Sequence, residues 1–283
     1  MPELPEVEVL ARHLRPLLIG KTIRAVEVRR ARVLHPTSAV RFKKALSGAK
    51  FLGLQRRGKY LLFELRQKQS RQPFFLLGHL GMTGRMFLAP EKAPLPKHAA
   101  VVLNLGARNF VYEDTRYFGR LTLDVSAAEK LGPEPWDKSF TAECFLRKLK
   151  QSRQPVKVKL LDQTIIAGVG NIYASEALFR AGISPRRAAR KLSPGGAKKL
   201  LAAIRTVMQE AIDCGSTIPL NFSGGKKTDG LFYFGRAAGA ADYYTERLRV
   251  YDRAGQPCEN CGFPIKRIVQ AARSTFFCLH CQK

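Results

Sequence analysis

Four cysteines decide the fold of the C-terminal part of the chain: Cys258-Glu259-Asn260-Cys261, then sixteen residues, then Cys278-Leu279-His280-Cys281. Each CxxC pair can present two thiolates to one tetrahedral ion, and the intervening residues suit a β-hairpin. The spacing therefore predicts one structural zinc ion bound by Cys258, Cys261, Cys278 and Cys281. Two disulfides are the alternative. We expect His280 to be a bystander, because Cys281 already completes the symmetric pattern.

The segment that precedes these cysteines has a helical texture. Apolar periodicity predicts helices over 141–150, 171–179 and 196–213. Gly168-Val169-Gly170 stands directly before the second helix, where glycines let backbone N–H groups approach a phosphate. An ordinary turn is the alternative, since the strand and the downstream acid of a dinucleotide site are missing. Cys144 and Cys214 lie in helical-looking segments and are predicted to be core thiols.

The first half of the chain has a different texture. Helical spacing of apolar residues predicts a helix over 3–18. Short runs bounded by turn residues predict strands over 23–28, 60–65, 74–80, 100–105, 110–113 and 121–125. This pattern favours an antiparallel sandwich or barrel. The proline- and glycine-containing stretch at 131–137 is typical of a linker.

The chain opens Met1-Pro2-Glu3-Leu4-Pro5, which suggests a catalytic amino terminus. Removal of Met1 would leave the nitrogen of Pro2 as a free nucleophile beside the carboxyl group of Glu3. At pH 7 a terminal amine is neutral far more often than a lysine amine. Condensed with an aldehyde it forms an iminium that acts as an electron sink, and Glu3 could shuttle the protons. The alternative is that Pro2 and Pro5 only fit the first turn of a helix.

Charge narrows the class of partner. The 283 residues include 49 Lys and Arg against 22 Asp and Glu, a net charge of +27. Such an excess needs an anionic partner, either nucleic acid or an anionic membrane. Apolar runs of membrane-spanning length and a signal-peptide pattern are both missing, so we expect an intracellular protein that binds nucleic acid. Without GxxxxGK[ST], HExxH or GxSxG motifs, nucleotide hydrolysis, metalloprotease and serine hydrolase activities have no support.

Six segments, in order, resemble the bacterial formamidopyrimidine-DNA glycosylases, which excise oxidised purines such as 8-oxoguanine and then cut the strand. The segments are 2–8, 57–61, 79–84, 116–119, 168–176 and the four-cysteine finger. The resemblance implies an α+β fold. It comprises an N-terminal antiparallel β-sandwich with an N-terminal helix (1–132), a helix-two-turn-helix domain (133–220), an extended lesion-capping loop (221–243) and the zinc-finger β-hairpin (244–283). DNA would be gripped between the first two domains.

The resemblance also implies a catalytic group of three residues. Pro2 would attack the sugar C1′, Glu3 would protonate the opening ring, and Lys59, on a β-turn, would contact the phosphate next to the lesion or the lesion itself. Met82, Arg116 and Phe118 match a trio that fills the void left by the flipped nucleotide, with Arg116 facing the orphaned cytosine. From the residues alone, Lys59 would be interpreted as a solvated lysine, and Met82 and Phe118 as core residues.

DNA contacts are the remaining implication. Besides Arg116, the residues matched to DNA-binding positions of the family are His98, Lys157, Asn171 and Arg273. The expected partner is double-stranded DNA that contains oxidised bases or abasic sites, bound by a monomer in the bacterial cytoplasm, associated with the nucleoid and not with a membrane. Zinc would hold Arg273 in place and do no chemistry.

Two departures from the family pattern and two alternatives qualify these expectations. His98-Ala99-Ala100 stands where the family often has His-Asp-His, and the segment 214–244 is longer than usual. An endonuclease VIII-like enzyme for oxidised pyrimidines is the first alternative, although Leu4 and Phe118 argue against it. A non-enzymatic zinc-finger DNA-binding protein is the second, and it gives the catalytic residues no role.

Overall fold

The computed structural model describes residues 2–213 and 248–283. Within that part of the chain, residues 2–129 form one compact body, and residues 130–213 with 248–283 form a second. The domain boundaries predicted after residues 132, 220 and 243 stay predictions. The last two boundaries, the predicted loop 221–243 and Cys214 all lie outside the described residues.

The first body consists of strands with three helices. Its elements in chain order are α1 (Leu4–Leu18), β1 (Ala25–Val28), a 3-10 turn (Ala31–Leu34), α2 (Ala39–Leu46), β2 (Lys50–Arg57), β3 (Tyr60–Arg66), β4 (Phe74–His79), β5 (Gly84–Pro90), β6 (Ala99–Asn104), β7 (Arg108–Asp114), β8 (Arg120–Thr122) and α3 (Ser126–Glu129). The strands form two antiparallel four-stranded sheets, in the orders β1-β6-β7-β5 and β2-β3-β4-β8. The predicted antiparallel β-domain with an N-terminal helix is thereby confirmed.

The apolar side chains of both sheets face one shared core. In β3, alternate residues Leu61, Phe63 and Leu65 are buried, as expected for a strand with one face inward. The ring of Phe63 meets that of Phe110 on β7 of the other sheet, with centroids 5.7 Å apart. Because the two sheets meet through such contacts, this body is a sandwich.

Two strands of the sandwich escaped the sequence patterns. Strand β2 has a register shift between Phe51 and Gly53 and ends in consecutive arginines, so apolar alternation is lost. Strand β5 follows a tight turn and ends at Pro90, which sequence rules count against a strand. The other six strands correspond to predicted ones, with bounds that differ by a few residues.

The second body is mainly helical. Its elements are α4 (Ala142–Lys150), α5 (Val156–Leu160), α6 (Asn171–Arg180), a 3-10 turn (Ala189–Lys191), α7 (Pro194–Asp213), β9 (Lys266–Gln270) and β10 (Arg273–Phe277). The three predicted helices are confirmed as α4, α6 and α7, whereas α5 is too short to show periodicity. Every residue from Ile172 to Phe179 is buried, so α6 is enclosed on all sides. Phe179 packs against Val250, Ile265 and Phe276, which fixes the zinc-finger hairpin to this helix.

Strands β9 and β10 form the predicted hairpin. Gln270 pairs with Arg273, and the two residues between them, Ala271 and Ala272, have φ of 47° and 57°. Positive φ at both central positions is the geometry of a type I′ turn, which matches the twist of the strands. Among the described residues, no helix combines the length and the apolar character needed to cross a bilayer.

Candidate active site and zinc centre

Pro2 and Glu3 lie at the N-terminal end of α1. Glu3 is the N-cap of this helix and only 2% exposed. Its backbone N–H donates to Oε2 of Glu6 at 2.7 Å, as part of a capping box. Pro5 occupies the second helical position, so the first-turn interpretation is correct for Pro5, whereas Pro2 lies just before the N-cap. It leaves a catalytic role for Pro2 and Glu3 open, because the cap places both at the positive end of the helix dipole.

Lys59 occupies the two-residue turn between β2 and β3. Its partner in the turn, Gly58, has φ of 58°, and Arg57 pairs with Tyr60 across the hairpin. Lys59 is 7% exposed, so the alternative of a freely solvated lysine is wrong. Burial, followed by the nearby charges of Lys59 and Arg120, lowers the pKa of His79 to about 4.

A partly buried ion pair connects α1 to the turn of Lys59. The carboxylate of Glu8 accepts a hydrogen bond from Nε of Arg56 at 2.7 Å, and Arg56 Nη1 donates to the carbonyl of Gly58 at 3.3 Å. The Arg56 side chain is only 10% exposed, so water screens this pair weakly. The structure thus links the helix that begins beside Pro2 and Glu3 to the turn that holds Lys59. Sequence reasoning missed both Glu8 and Arg56.

Met82, Arg116 and Phe118 present their side chains at the surface of the first body. Met82 is 46% and Phe118 is 48% exposed, so the alternative that they are core residues is wrong. The guanidinium of Arg116 lies over the ring of Phe118, 4.7 Å from its centroid, in a cation–π contact. The role of these three side chains in DNA binding stays a prediction.

His98 comes directly before β6 and is half-buried. Its carbonyl accepts the backbone N–H of Asp114 at 3.2 Å. Ala99 and Ala100, which depart from the family's usual residues, are both buried in β6 beside a register shift. The DNA contact of His98 stays a prediction.

Lys157, Asn171 and β10 form a compact polar cluster in the second body. Nζ of Lys157 donates to Oδ1 of Asn171 at 2.6 Å, to the carbonyl of Ser274 at 2.8 Å and to the hydroxyl of Thr275 at 2.7 Å. Asn171 Nδ2 donates to the same Ser274 carbonyl at 2.9 Å. Lys157 is 0% exposed, which speaks against the predicted direct DNA contact, since its three ammonium protons already have protein acceptors.

Arg273 and Asn171 are better placed for a ligand. Arg273 is exposed at the first position of β10, directly after the hairpin turn, and Asn171 is the first residue of α6. The turn before α6 is braced by Gln163, which accepts from the N–H of Gly168 at 2.9 Å and donates to the carbonyl of Val169 at 2.8 Å. Sequence reasoning did not identify Gln163.

The four predicted zinc ligands converge. Sγ atoms of Cys258, Cys261, Cys278 and Cys281 all lie within 4.8 Å of one another. Cys258 and Cys281 are 3.9 Å apart, and Cys261 and Cys278 are 3.5 Å apart. Tetrahedral zinc with Zn–S bonds of about 2.3 Å needs separations of about 3.8 Å, so the donor set fits one ion.

Three further expectations concern the disulfide alternative, His280 and Cys144. The four thiols are free, so the disulfide alternative is wrong. The ring of His280 stacks on Phe263 with centroids 5.1 Å apart and stands outside the sulfur cluster, as expected of a bystander. Cys144 is partly exposed, and hydrogen bonds with Thr141 and Arg147 lower the pKa of its thiol. The prediction that Cys144 is a core thiol is therefore wrong.

Glu176 is another residue that sequence reasoning did not single out. Its carboxylate accepts the backbone N–H groups of Arg249, Val250 and Tyr251 at 2.8–3.0 Å. Burial raises the pKa of this carboxyl group, against the opposing effect of the three N–H donors. A carboxylate within the mainly apolar run 172–179 of α6 was the signal for such an anchor.

Comparison with known sequences gives three family matches. Residues 1–121 match the formamidopyrimidine-DNA glycosylase N-terminal domain, residues 131–221 the formamidopyrimidine-DNA glycosylase H2TH domain, and residues 255–283 the zinc finger found in FPG and IleRS. A formamidopyrimidine-DNA glycosylase from Carboxydothermus hydrogenoformans is 38% identical, and the match covers 100% of both chains. One from Thermus thermophilus is 41% identical, over 100% of this chain and 98% of the relative.

Solved structures give the same result. The complex between Lactococcus lactis Fpg and DNA containing an abasic site is similar at a TM-score of 0.85 and 34% identity, over 99% of both chains. The complex of the Lactococcus lactis protein with DNA containing FAPY-dG also has a TM-score of 0.85 and 34% identity, over 99% of this chain and 100% of the other.

Proposed function

The chain belongs to the formamidopyrimidine-DNA glycosylase family, and from that premise we propose that it is a bifunctional DNA glycosylase and AP lyase of base excision repair. Its substrates are oxidised purines, namely 8-oxoguanine and formamidopyrimidines, and abasic sites in double-stranded DNA. One observation of the geometry carries this proposal: the ion pair of Glu8 and Arg56 ties the helix that starts at Pro2 and Glu3 to the enclosed turn of Lys59.

The first chemical step uses the amino terminus. After removal of Met1, the nitrogen of Pro2 attacks C1′ of the damaged nucleotide, the glycosidic bond breaks, and the base leaves with the bonding electrons and the proton that the nitrogen gives up. Glu3 protonates the opening sugar ring, which leaves an iminium between Pro2 and C1′. A terminal amine is neutral at pH 7 far more often than a lysine amine, so the nucleophile is available at neutral pH.

Strand cutting follows from the iminium. With C1′ bonded to a cationic nitrogen, a proton is lost from C2′ and its electrons expel the 3′ phosphate. A second elimination expels the 5′ phosphate, and water then hydrolyses the bond between Pro2 and C1′, which frees the sugar fragment and restores the amine. Lys59 supplies positive charge to the phosphate beside the lesion, and its enclosure strengthens that interaction relative to a solvated lysine.

DNA binding divides between the two bodies. The exposed side chains of Met82 and Phe118 fill the void left by the flipped nucleotide, and Arg116 meets the orphaned base. In the second body, Asn171 and the exposed Arg273 contact phosphates, while Lys157 positions both from within. His98 contacts the sugar-phosphate backbone of the DNA. Zinc holds the hairpin that presents Arg273, which is a structural role.

The setting of this activity is part of the proposal. The enzyme acts as a monomer on the chromosome, in the cytoplasm at the bacterial nucleoid. The enlarged segment 221–243 caps the flipped purine, an expectation drawn from sequence.

Borohydride trapping tests the proposed reaction. Reduction during turnover of a duplex with 8-oxoguanine opposite cytosine converts the iminium into a stable protein–DNA adduct, and peptide mapping is expected to place it on residue 2. Glu3→Gln is expected to slow base release at least tenfold, about 1.4 kcal/mol or more of barrier. Glu27→Gln is the matched control, because Glu27 is exposed on β1.

Three outcomes contradict the proposal in different ways. An adduct on a lysine overturns the role of Pro2. Faster release of oxidised pyrimidines than of 8-oxoguanine points to the endonuclease VIII-like alternative. Tight DNA binding with neither adduct nor cutting identifies a non-enzymatic zinc-finger protein.

A further inference from the structure

Two loops of the sandwich body carry the three void-filling residues of the proposed function. The first, residues 80–83, connects β4 to β5 and bears Met82. The second, residues 115–119, connects β7 to β8 and bears Arg116 and Phe118. A side chain that fills a gap in stacked DNA must be held rigidly, because a loop that yields on contact would lose the energy of insertion.

One buried carboxylate binds both loops. Oδ1 of Asp114 accepts the hydroxyl of Thr83 at 2.6 Å and the backbone N–H of Arg116 at 3.2 Å. Oδ2 accepts the backbone N–H of Gly119 at 2.8 Å. The Thr83 hydroxyl also accepts the N–H of Arg116, at 3.2 Å. Asp114 is therefore bonded on both sides of Arg116 and Phe118, and to the residue that follows Met82.

The two loops also touch at their backbones. Gly81 has φ of 60°, and a side-chain carbon there would lie 2.5 Å from the nitrogen of Gly119 and 2.7 Å from the carbonyl carbon of Phe118. Such separations are far shorter than a van der Waals contact, so only glycine permits this approach. The loops form one unit, and the carboxylate of Asp114 lies inside it with 0% exposure.

We propose that Asp114, with Thr83 as its hydroxyl partner, is the positioning pair that holds Met82, Arg116 and Phe118 ready for insertion. The inference rests on the proposed function. A carboxylate suits this place because its two acceptor oxygens serve different loop segments, whereas an asparagine would offer one acceptor and an NH₂ group. Bonds to a charged acceptor are also stronger than neutral ones, and burial removes competition from water.

Cutting of single-stranded DNA distinguishes a positioning role of Asp114 and Thr83 from a general contribution of these residues to stability. An abasic site in a single strand offers the aldehyde carbon to Pro2 but has no stacked void and no orphaned base. Loss of loop positioning is therefore expected to slow cutting in the duplex and to spare cutting in the single strand. A change that merely destabilises the sandwich lowers both rates alike.

The experiment compares single-turnover cutting of the same abasic strand, alone and paired with cytosine opposite the site. Thr83→Val removes the hydroxyl at nearly constant volume and is expected to lower the duplex rate tenfold or more, with the single-strand rate within twofold of wild type. Thr83→Ser restores the hydroxyl and is expected to recover the duplex rate. Asp114→Asn gives a second, stronger version of the same selective loss.

Thr37→Val is the matched control for lost stability. The hydroxyl of Thr37 is buried in the same body, bonds to the hydroxyl of Thr122 at 2.8 Å and accepts the N–H of Leu123 at 3.1 Å. It makes the same kinds of bond as Thr83 away from the two loops, so this variant is expected to keep the wild-type ratio of duplex to single-strand rates.

The ratio of the two rates decides the matter. If Thr83→Val leaves the ratio unchanged, whether both rates fall or neither does, Asp114 and Thr83 have no positioning role. Failure of Thr83→Ser to recover the duplex rate overturns the proposal as well. A wild-type enzyme that cuts neither substrate refutes the proposed function itself, a different result from an active enzyme whose Thr83→Val variant shows no selective loss.

Discussion

Replacing Lys157 by methionine tests whether this lysine contacts DNA directly or stabilises the interior of the second body. Methionine keeps most of the volume and removes the ammonium group. A surface phosphate contact would leave stability unchanged, whereas the observed interior position makes the second body depend on the ammonium group.

The hydrogen bonds of the cluster set the magnitude. The Ser274 carbonyl keeps the donor of Asn171 Nδ2, whereas the buried Thr275 hydroxyl oxygen loses the donor that Lys157 supplies at 2.7 Å. Oδ1 of Asn171 loses the Lys157 donor 2.6 Å away, and such an unpaired acceptor costs about 1–3 kcal/mol. Relief from burying the ammonium group offsets part of this. We expect Lys157→Met to lose about 1–3 kcal/mol of unfolding free energy.

The release of zinc during unfolding measures the stability of the second body, because this body contains both Lys157 and the four zinc ligands. Each variant is titrated with urea in the presence of a chromophoric chelator, and the midpoint of zinc release is recorded. Lys159→Met is the matched control, since Lys159 lies on the same short helix and pairs with Asp162 at 2.6 Å. Such a partly exposed pair contributes about 1 kcal/mol or less. If Lys157→Met and wild type release zinc at the same urea concentration, the interior role is refuted.

Three further expectations concern the metal, the hairpin and acid. Cys278→Ser is expected to lose the bound zinc and DNA binding with it, and undiminished zinc by elemental analysis would exclude Cys278 as a ligand. Arg273→Ala is expected to weaken binding to damaged and undamaged duplexes alike and to flatten the log–log salt dependence by about one, whereas a loss confined to damaged DNA would exclude a plain phosphate contact. Burial lowers the pKa of His79 to about 4 in the folded protein, whereas the usual value near 6.5 applies in the unfolded chain. Between these two pH values the unfolded chain binds more protons than the folded protein, so the free energy of unfolding falls as the pH drops. Between pH 7 and pH 5 wild type should lose about 2 kcal/mol more than His79→Gln in urea unfolding, and equal losses would contradict the assigned cause.

Local patterns predicted much of this fold because they need little context. The cysteine spacing was sufficient to predict the zinc ligands. The apolar periodicity was sufficient to predict α1, α6 and α7, because each of these helices buries a continuous face or its whole surface. The strand β2 was missed because its register shift and basic residues hide the pleat from the sequence. Its neighbours in the sheet, and not its own composition, make it a strand.

Most residues of the site could be predicted from sequence, but the orientation of their side chains could not. Family motifs identified Lys157, Met82 and Phe118, but whether a side chain points inward or outward depends on contacts with distant segments. Lys157 bonds to residues more than a hundred positions away, and Thr83 and Asp114 are 31 residues apart. Such pairs leave no spacing pattern in a single sequence, so only the fold reveals Asp114 as an organiser of two loops.

The alanine pair at the tip of the zinc-finger hairpin has a consequence for how this region could be made sturdier. Left-handed backbone conformations cost an L-residue roughly 1–2 kcal/mol, and both Ala271 and Ala272 adopt them. Asparagine followed by glycine suits such a turn far better. The pairing of Gln270 with Arg273 across the hairpin therefore holds both alanines in a conformation that alanine disfavours. Ala271→Asn with Ala272→Gly should therefore raise the melting temperature of the protein. In this variant the position of Arg273 should be less sensitive to the removal of zinc.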